Sequence, residues 1–250
     1  MGKKTVVFGS FVVDLMGRTP HLPAAGETVK GTVFKMGPGG KGFNQGVAAH
    51  KAGADVTMVT KLGRDTFADI ALNTMKELGM KQDRILYSDD TETGCALIMV
   101  DENTSQNEIV VILGSCNTIS DAEVDSLEDL LDGCEYMLTQ LETNVSSVER
   151  IVDIACKKGV KVILNTAPVQ PISNELLSKV DLITPNEVEA EILTGVKVDS
   201  EEAADKAAEW FFGKGVKRVL ITLGGRGVYI NTGDKKGIIP AYKVNAIDTT

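Results

Sequence analysis

Positive charge in blocks, metal-binding side chains and long apolar runs are all scarce in this chain. The net charge is −9 and the sequence pI about 4.9. With no basic segment to neutralise phosphates, this balance excludes a general electrostatic grip on nucleic acid or on an anionic membrane. Only two histidines occur, His21 and His50, and the cysteines Cys95, Cys116, Cys134 and Cys156 form no C-x-x-C pair. A zinc site and a disulfide framework are therefore poor readings, and reduced thiols in a cytoplasmic protein are expected. No apolar run approaches a membrane span, and the opening Thr5–Phe8 run, broken by Gly9 and Asp14, reads as a strand rather than a signal peptide. Aromatic residues make up 5% of the chain, with Trp210 the one tryptophan, which leaves few platforms for stacking a nucleobase. The sequence also lacks a low-complexity linker and a short repeat. Its 250 residues, 43% hydrophobic, are thus expected to form one domain over residues 1–250.

What is abundant is glycine, and above all the run Gly37-Pro38-Gly39-Gly40-Lys41-Gly42-Phe43-Asn44-Gln45. Without Cβ atoms the backbone there can approach a ligand closely. The following segment, Asn44 to Ala52, reads as a helix whose first N–H groups would face the same point, suiting a polyhydroxylated or anionic ligand. Gly37-x-Gly39-x-x-Gly42 also spells a dinucleotide-binding fingerprint, with Asp65 as its downstream acid. Context opposes that reading. A complete strand, Thr5 to Val13, already precedes the run, and Pro38 and Lys41 are unusual in such a turn. A Walker A loop is excluded, because Lys41 is followed by Gly42 instead of a hydroxyl residue.

Buried-strand runs alternate with helical periodicity over most of the chain. Strands are expected at Val56–Thr60, Tyr136–Leu141, Val160–Leu164, Val180–Thr184 and Arg218–Leu223. Helical stripes run from Phe67 to Leu78, from Val145 to Ala155, near Asn174–Ser178, and from Ala203 to Phe211 behind Ser200 as cap. Thr184-Pro185-Asn186-Glu187 opens a further helix, with Thr184 as cap and Glu187 completing a capping box, and Gly195 ends it. This order predicts an α/β fold with a mostly parallel sheet. Two segments interrupt it. Gly94–Val100 and Glu108–Leu113 read as a hairpin, and Thr28–Met36 as a strand far from any helix. They predict a small separate β-sheet drawn from about residues 10–36 and 94–113.

Eight sequence pieces in order then resemble the ribokinase-like (PfkB) carbohydrate kinases. They are Gly9-Ser10…Asp14, Pro23-x-x-Gly26-Glu27-Thr28, Gly39-Gly40-Lys41-Gly42-x-Asn44-Gln45, Gln140-Leu141-Glu142, Asn165-x-Ala167-Pro168, the stretch from Thr184 to Gly195, Ile221-Thr222-Leu223-Gly224-x-x-Gly227, and Ala246-x-Asp248-Thr249-Thr250. The resemblance implies a three-layer α/β core with a small β-sheet lid over the sugar, the lid often forming a homodimer contact. It implies transfer of the γ-phosphoryl of ATP to a primary hydroxyl, with D-ribose the first choice of acceptor. Magnesium accompanies ATP, and a monovalent cation, K+, activates.

The matched motifs imply site residues. Asp14, Gly40, Lys41, Asn44 and Glu142 fall at sugar-binding positions. Asn186, Thr222, Gly224, Gly225 and Gly227 fall at nucleotide positions, Glu189 at one organising magnesium-bound water, and Asp248 and the Thr250 carbonyl at the monovalent-cation site. The residues alone leave duller readings beside these. Asp14 suits a turn, Glu142 a helix N-terminal charge, the Gly224–Gly227 glycines an ordinary tight turn, and the acids around Glu189 a solvated face. Phe43, where the family pattern has a small residue, is expected to narrow the helix entry, which counts against ribose itself. Thr166 stands where proline is frequent.

The family motif runs on into Gly-Ala-Gly-Asp, which supplies an anion hole and the catalytic base. This chain stops at Thr250, so no catalytic residue is assigned within it, and the 250-residue chain by itself is expected to be an inactive fragment. The alternatives are another sugar or nucleoside kinase of the family, a nicotinamide-dependent oxidoreductase using the Gly37–Gly42 run, and a non-catalytic sugar-binding protein.

Overall fold

A computed structural model describes residues 2–243, which fall into two compact units divided between Val160 and Lys161. The first unit begins with β1 (Lys4–Phe8), β2 (Val12–Thr19) and β3 (Val33–Gly39), followed by α1 (Lys41–Lys51), β4 (Asp55–Val59), β5 (Lys61–Leu62) and α2 (Thr66–Glu77). It continues through β6 (Leu86–Tyr87), β7 (Thr93–Asp101), β8 (Asn107–Gly114), α3 (Asp121–Asp125), β9 (Tyr136–Thr139) and α4 (Val145–Lys157). Strands β9, β1 and β4 run parallel in that order. They are short apolar strands of the kind covered on both faces. Val7, Val56 and Met58 pack with Phe43 of α1 and Ala71 and Met75 of α2 in a buried core.

A second, four-stranded sheet in this unit has the order β3-β2-β7-β8, with β2 and β7 parallel and both outer pairs antiparallel. This is the small sheet expected from the sequence, with two changes. The first strand does not run from Thr5 to Val13. It breaks at Gly9-Ser10-Phe11, where the Gly9 N–H reaches the Val59 carbonyl at 3.0 Å and the chain leaves one sheet for the other. Strand β3 starts later than Thr28 and runs on to Gly39, so the first half of the glycine run is strand rather than turn. Pro38 pairs with Val13 there, tolerated because β3 is an edge. Phe34, Met36 and the consecutive Ile109–Ile112 of the other edge strand, β8, are exposed.

The second unit comprises β10 (Lys161–Leu164), α5 (Asn174–Ser178), β11 (Leu182–Ile183), α6 (Glu187–Thr194), α7 (Glu201–Gly213), β12 (Val219–Thr222), β13 (Val228–Asn231) and β14 (Lys236–Ile239). Strands β10, β11 and β12 are parallel; β13 and β14 add antiparallel at the edge. The α6 cap is Asn186 with Glu189 as its box partner, two residues beyond the expected Thr184 and Glu187. Thr184 is instead tied back to β10, its N–H donating to the Leu164 carbonyl at 2.9 Å. Gly195 ends the helix in the left-handed conformation, as expected (φ 74°).

Candidate functional site

The first unit gathers the expected sugar residues at the start of α1. Gly40 caps the helix at φ 92°, a conformation that favours glycine, and a Cβ there would crowd Phe11 and Val12. Behind it Gly42 lies backbone to backbone on the first interstrand break: a Cβ would come within 2.6 Å of Gly9 C and Ser10 N. The four N–H groups that open the helix are all engaged. Lys41 N–H donates to Glu142 Oε2 at 2.8 Å, Gly42 N–H to Ser10 Oγ at 3.4 Å, Phe43 N–H to the Ser10 carbonyl at 2.8 Å, and Asn44 N–H to the Gly40 carbonyl at 2.9 Å. The helix therefore starts at Lys41 rather than Asn44, and its N-terminus presents no free donors to an anion.

What lines this helix entry is carboxylate. Asp14 lies in the middle of β2 rather than at the end of the first strand, opposite Gly37 and so close to Gly39 that any Cβ there would overlap its carboxylate. Neither Asp14 oxygen has a hydrogen-bond partner among the described residues, although the side chain is half-buried. Burial first, and then the charge of Glu142, raise its pKa above the usual 3.8. Glu142 follows β9, is 4% exposed, and accepts from Lys41 N–H and from Ser10 Oγ at 2.5 Å through the same oxygen, Oε2. Its Oε1 has no partner among the described residues. Asn44 sits one turn along α1, exposed, with no side-chain bond among the described residues. The structure thus brings Asp14, Gly39, Gly40, Lys41 and Glu142 together, with Asn44 a turn away on the same helix. Phe43 does not narrow this entry. It is 1% exposed and packs edge-to-face on Phe11, ring centroids 5.0 Å apart, on the core side of the helix.

The same geometry removes the dinucleotide reading. The glycine run closes the edge strand of a small sheet, not the first strand of a βαβ unit. Its supposed ribose acid, Asp65, caps α2 by accepting Ala68 N–H at 2.9 Å and holds the start of β7 by accepting Thr93 N–H at 2.7 Å. Those bonds pull its pKa below the usual range against a burial effect of opposite sign.

The second unit holds a cleft of about 640 Å³, of a size that suits a small-molecule ligand. It is lined by the α6 start, by the β12 exit and by β13 and the residues after β14. Asn186, Thr222, Gly224 and Gly227 are among its lining residues; Gly225 completes the turn without lining it. Gly227 has φ 105°, and a Cβ would overlap the Ile239 carbonyl. Arg226 straps this turn to its neighbours, donating to the Val198 and Asp199 carbonyls at 2.7 and 2.8 Å and pairing with Glu187. Asn186 and Glu189 lock one another. The Asn186 amide N–H and Nδ2 donate to Glu189 at 2.9 Å each, Glu189 N–H returns to Asn186 Oδ1 at 2.8 Å, and Thr166 Oγ1 adds a contact at 3.4 Å. Glu189 is thereby buried and anchored, not on a solvated face.

Among the described residues no group of three or more His, Cys, Asp or Glu side chains is placed to hold a metal ion. Both Glu189 oxygens already accept from Asn186, so this carboxylate would meet a magnesium ion only through the ion's water shell. Asp248 and Thr250 lie outside the described residues. The cysteines are free, and no described helix is long and apolar enough to cross a membrane. Sequence reading missed Val228, Ile239, Pro240 and Ala241 in the cleft because it assigned nothing between Gly227 and Ala246. The polar turn Thr232-Gly233-Asp234 between two apolar runs was the available hairpin signal.

Residues 3–250 match the family model described as pfkB family carbohydrate kinase. The chain belongs to that family. Among curated proteins it is 42% identical to a ribokinase of Haemophilus influenzae over 250 residues, 100% of this chain and 81% of the relative. It is 36% identical to a deoxyribokinase of Salmonella typhi, with 98% of this chain and 80% of the relative aligned. A solved structure of Arabidopsis thaliana ribokinase complexed with ribose and ATP is similar at TM-score 0.85 and 28% identity, covering 99% of this chain and 80% of that one. The expected α/β fold and carbohydrate-kinase membership hold, and the oxidoreductase alternative falls.

Proposed function

We propose that this protein transfers the γ-phosphoryl of ATP to the primary hydroxyl of D-ribose. The observation that carries the acceptor is the pair of carboxylates at the α1 entry: Asp14 with both oxygens unpartnered, and Glu142 with Oε1 unpartnered among the described residues. Each ionised oxygen accepts and cannot donate, so the pair selects a ligand rich in hydroxyl donors. Asn44 offers a donor and an acceptor, and Gly39-Gly40 lets the ring approach the backbone. In the second unit the cleft takes ATP, with Asn186 and the Gly224–Gly227 turn beside its phosphates. Magnesium, bound through water near Glu189, neutralises phosphate charge. K+ binds at Asp248 and the Thr250 carbonyl. The exposed apolar edges of the small sheet support a homodimer through that sheet, and the free thiols and low pI suit a cytoplasmic enzyme.

The test is ATP turnover by the full-length gene product against D-ribose, 2-deoxy-D-ribose, fructose, 2-keto-3-deoxygluconate and a nucleoside, with and without K+. D-ribose is expected to give the highest kcat/KM, and omission of K+ to lower it. A tenfold preference for another acceptor overturns the ribose assignment; ATP turnover that no sugar stimulates overturns the kinase reading.

A further inference from the structure

We infer that Ser10 is a positioning residue for the sugar, acting through Glu142. This rests on the sugar reading of the carboxylate pair and names the group that aims one member of it. Ser10 is wholly buried in the break between β1 and β2 and cannot itself touch a ligand in solvent. Its hydroxyl donates to Glu142 Oε2, its oxygen accepts from Gly42 N–H, and its carbonyl accepts from Phe43 N–H. One residue therefore joins the Glu142 carboxylate to the first turn of α1.

The consequence for Glu142 is rotational. Lys41 N–H and Ser10 O–H both grip Oε2, from the helix and from the strand break respectively. Two donors on one oxygen fix the carboxylate plane and leave Oε1 as the acceptor turned to the ligand. With the Lys41 N–H alone the group can pivot about that bond, and hydrogen bonds to ionised acceptors weaken steeply with misalignment. The charged neighbour that faces Glu142 is Asp14 from β2, and the Cys116 thiol, held protonated by burial, also lies within reach of its charge. Neither replaces the lost donor, because an ionised Asp14 only accepts and the Cys116 thiol is already bonded to the Phe11 and Lys61 carbonyls.

The test compares Ser10→Ala and Ser10→Cys with the parent, using D-ribose calorimetry, KM for ribose and for ATP, kcat and thermal melting. The cysteine variant errs toward a larger side chain with only a weak donor and the alanine variant toward a small void, so the two bracket the packing of the site. The expected result is ribose affinity about ten- to a hundredfold weaker, the span of a lost hydrogen bond to a charged group. The ribose KM rises in step, while the KM for ATP and kcat stay within threefold. In a Glu142→Ala background, which removes the acceptor altogether, the Ser10 substitutions add less than threefold, since their route has gone. Unchanged ribose affinity in whichever variant melts like the parent overturns the inference, as does full additivity with Glu142→Ala. Should Asp14→Ala and Glu142→Ala both leave ribose binding intact, the sugar reading itself has failed, and the Ser10 result does not bear on it.

Discussion

Helices α1 and α6 both open beneath a glutamate, but the two glutamates come from different distances. In α6 the partner is Glu189, three residues past the Asn186 cap, so the whole device is local. In α1 it is Glu142, which arrives from 101 residues away and is itself held by Ser10 from a third segment. A local capping box forms with its helix and is nearly indifferent to the rest of the fold. The long-range cap exists only once β9, the β1 exit and the glycine run have met. The α1 cap therefore couples tertiary assembly to the ligand pocket, whereas the α6 cap stabilises a helix that borders one.

The sharpest way to break this contrast is Glu142→Ala. It removes both the α1 entry acceptor and half of the carboxylate pair, leaving Lys41 N–H and Ser10 O–H unpaired in a buried place. Stability should fall by about 2–4 kcal/mol for two orphaned donors, read from the urea midpoint. D-ribose binding should fall at least a hundredfold by calorimetry. Asn186→Ala, its counterpart at α6, should lower stability by only about 1 kcal/mol, as loss of an N-cap does. It should weaken ATP binding and leave ribose affinity in the first unit unchanged.

The subtlest sharpening is a pH effect. Burial and the Glu142 charge raise the folded-state pKa of Asp14 above its ordinary 3.8, so the folded protein holds this proton more tightly than the unfolded chain. Stability from this group is therefore greatest at low pH and declines as pH rises from the ordinary aspartate range through the raised folded value. Asp14→Asn should lack that decline and melt slightly higher at neutral pH, while binding ribose at least tenfold more weakly. Ribose affinity of the parent should drop as pH falls through the same window, because the protonated acid loses an acceptor. Equal melting temperatures of parent and variant across pH 3–8 would remove the strain assigned to Asp14.

How much of this was legible in the sequence follows the same local-to-distant divide. Helix α7 behind Ser200, α5 at Asn174–Ser178 and the Gly195 stop carry their signals within one turn, and they stand where the sequence puts them. The α1 start was misplaced because its cap is not adjacent in the chain and glycine is a poor helix residue by propensity. The β1–β2 break was invisible for a related reason. Val6 to Val13 is apolar but for Gly9-Ser10, and the break falls where those two residues lie against Gly42. Asp14 and Glu142 were nameable from motifs, but their missing partners and mutual repulsion are properties of the assembled pocket.

Asp65 ties the small sheet to something besides the sugar pocket. One carboxylate oxygen holds the first turn of α2 and the other the first amide of β7. Any swing of that sheet must either rupture the Thr93 bond or drag α2 with it. Exchange of the Thr93 amide with deuterium is thus a built-in odometer for opening, readable without ligand or turnover.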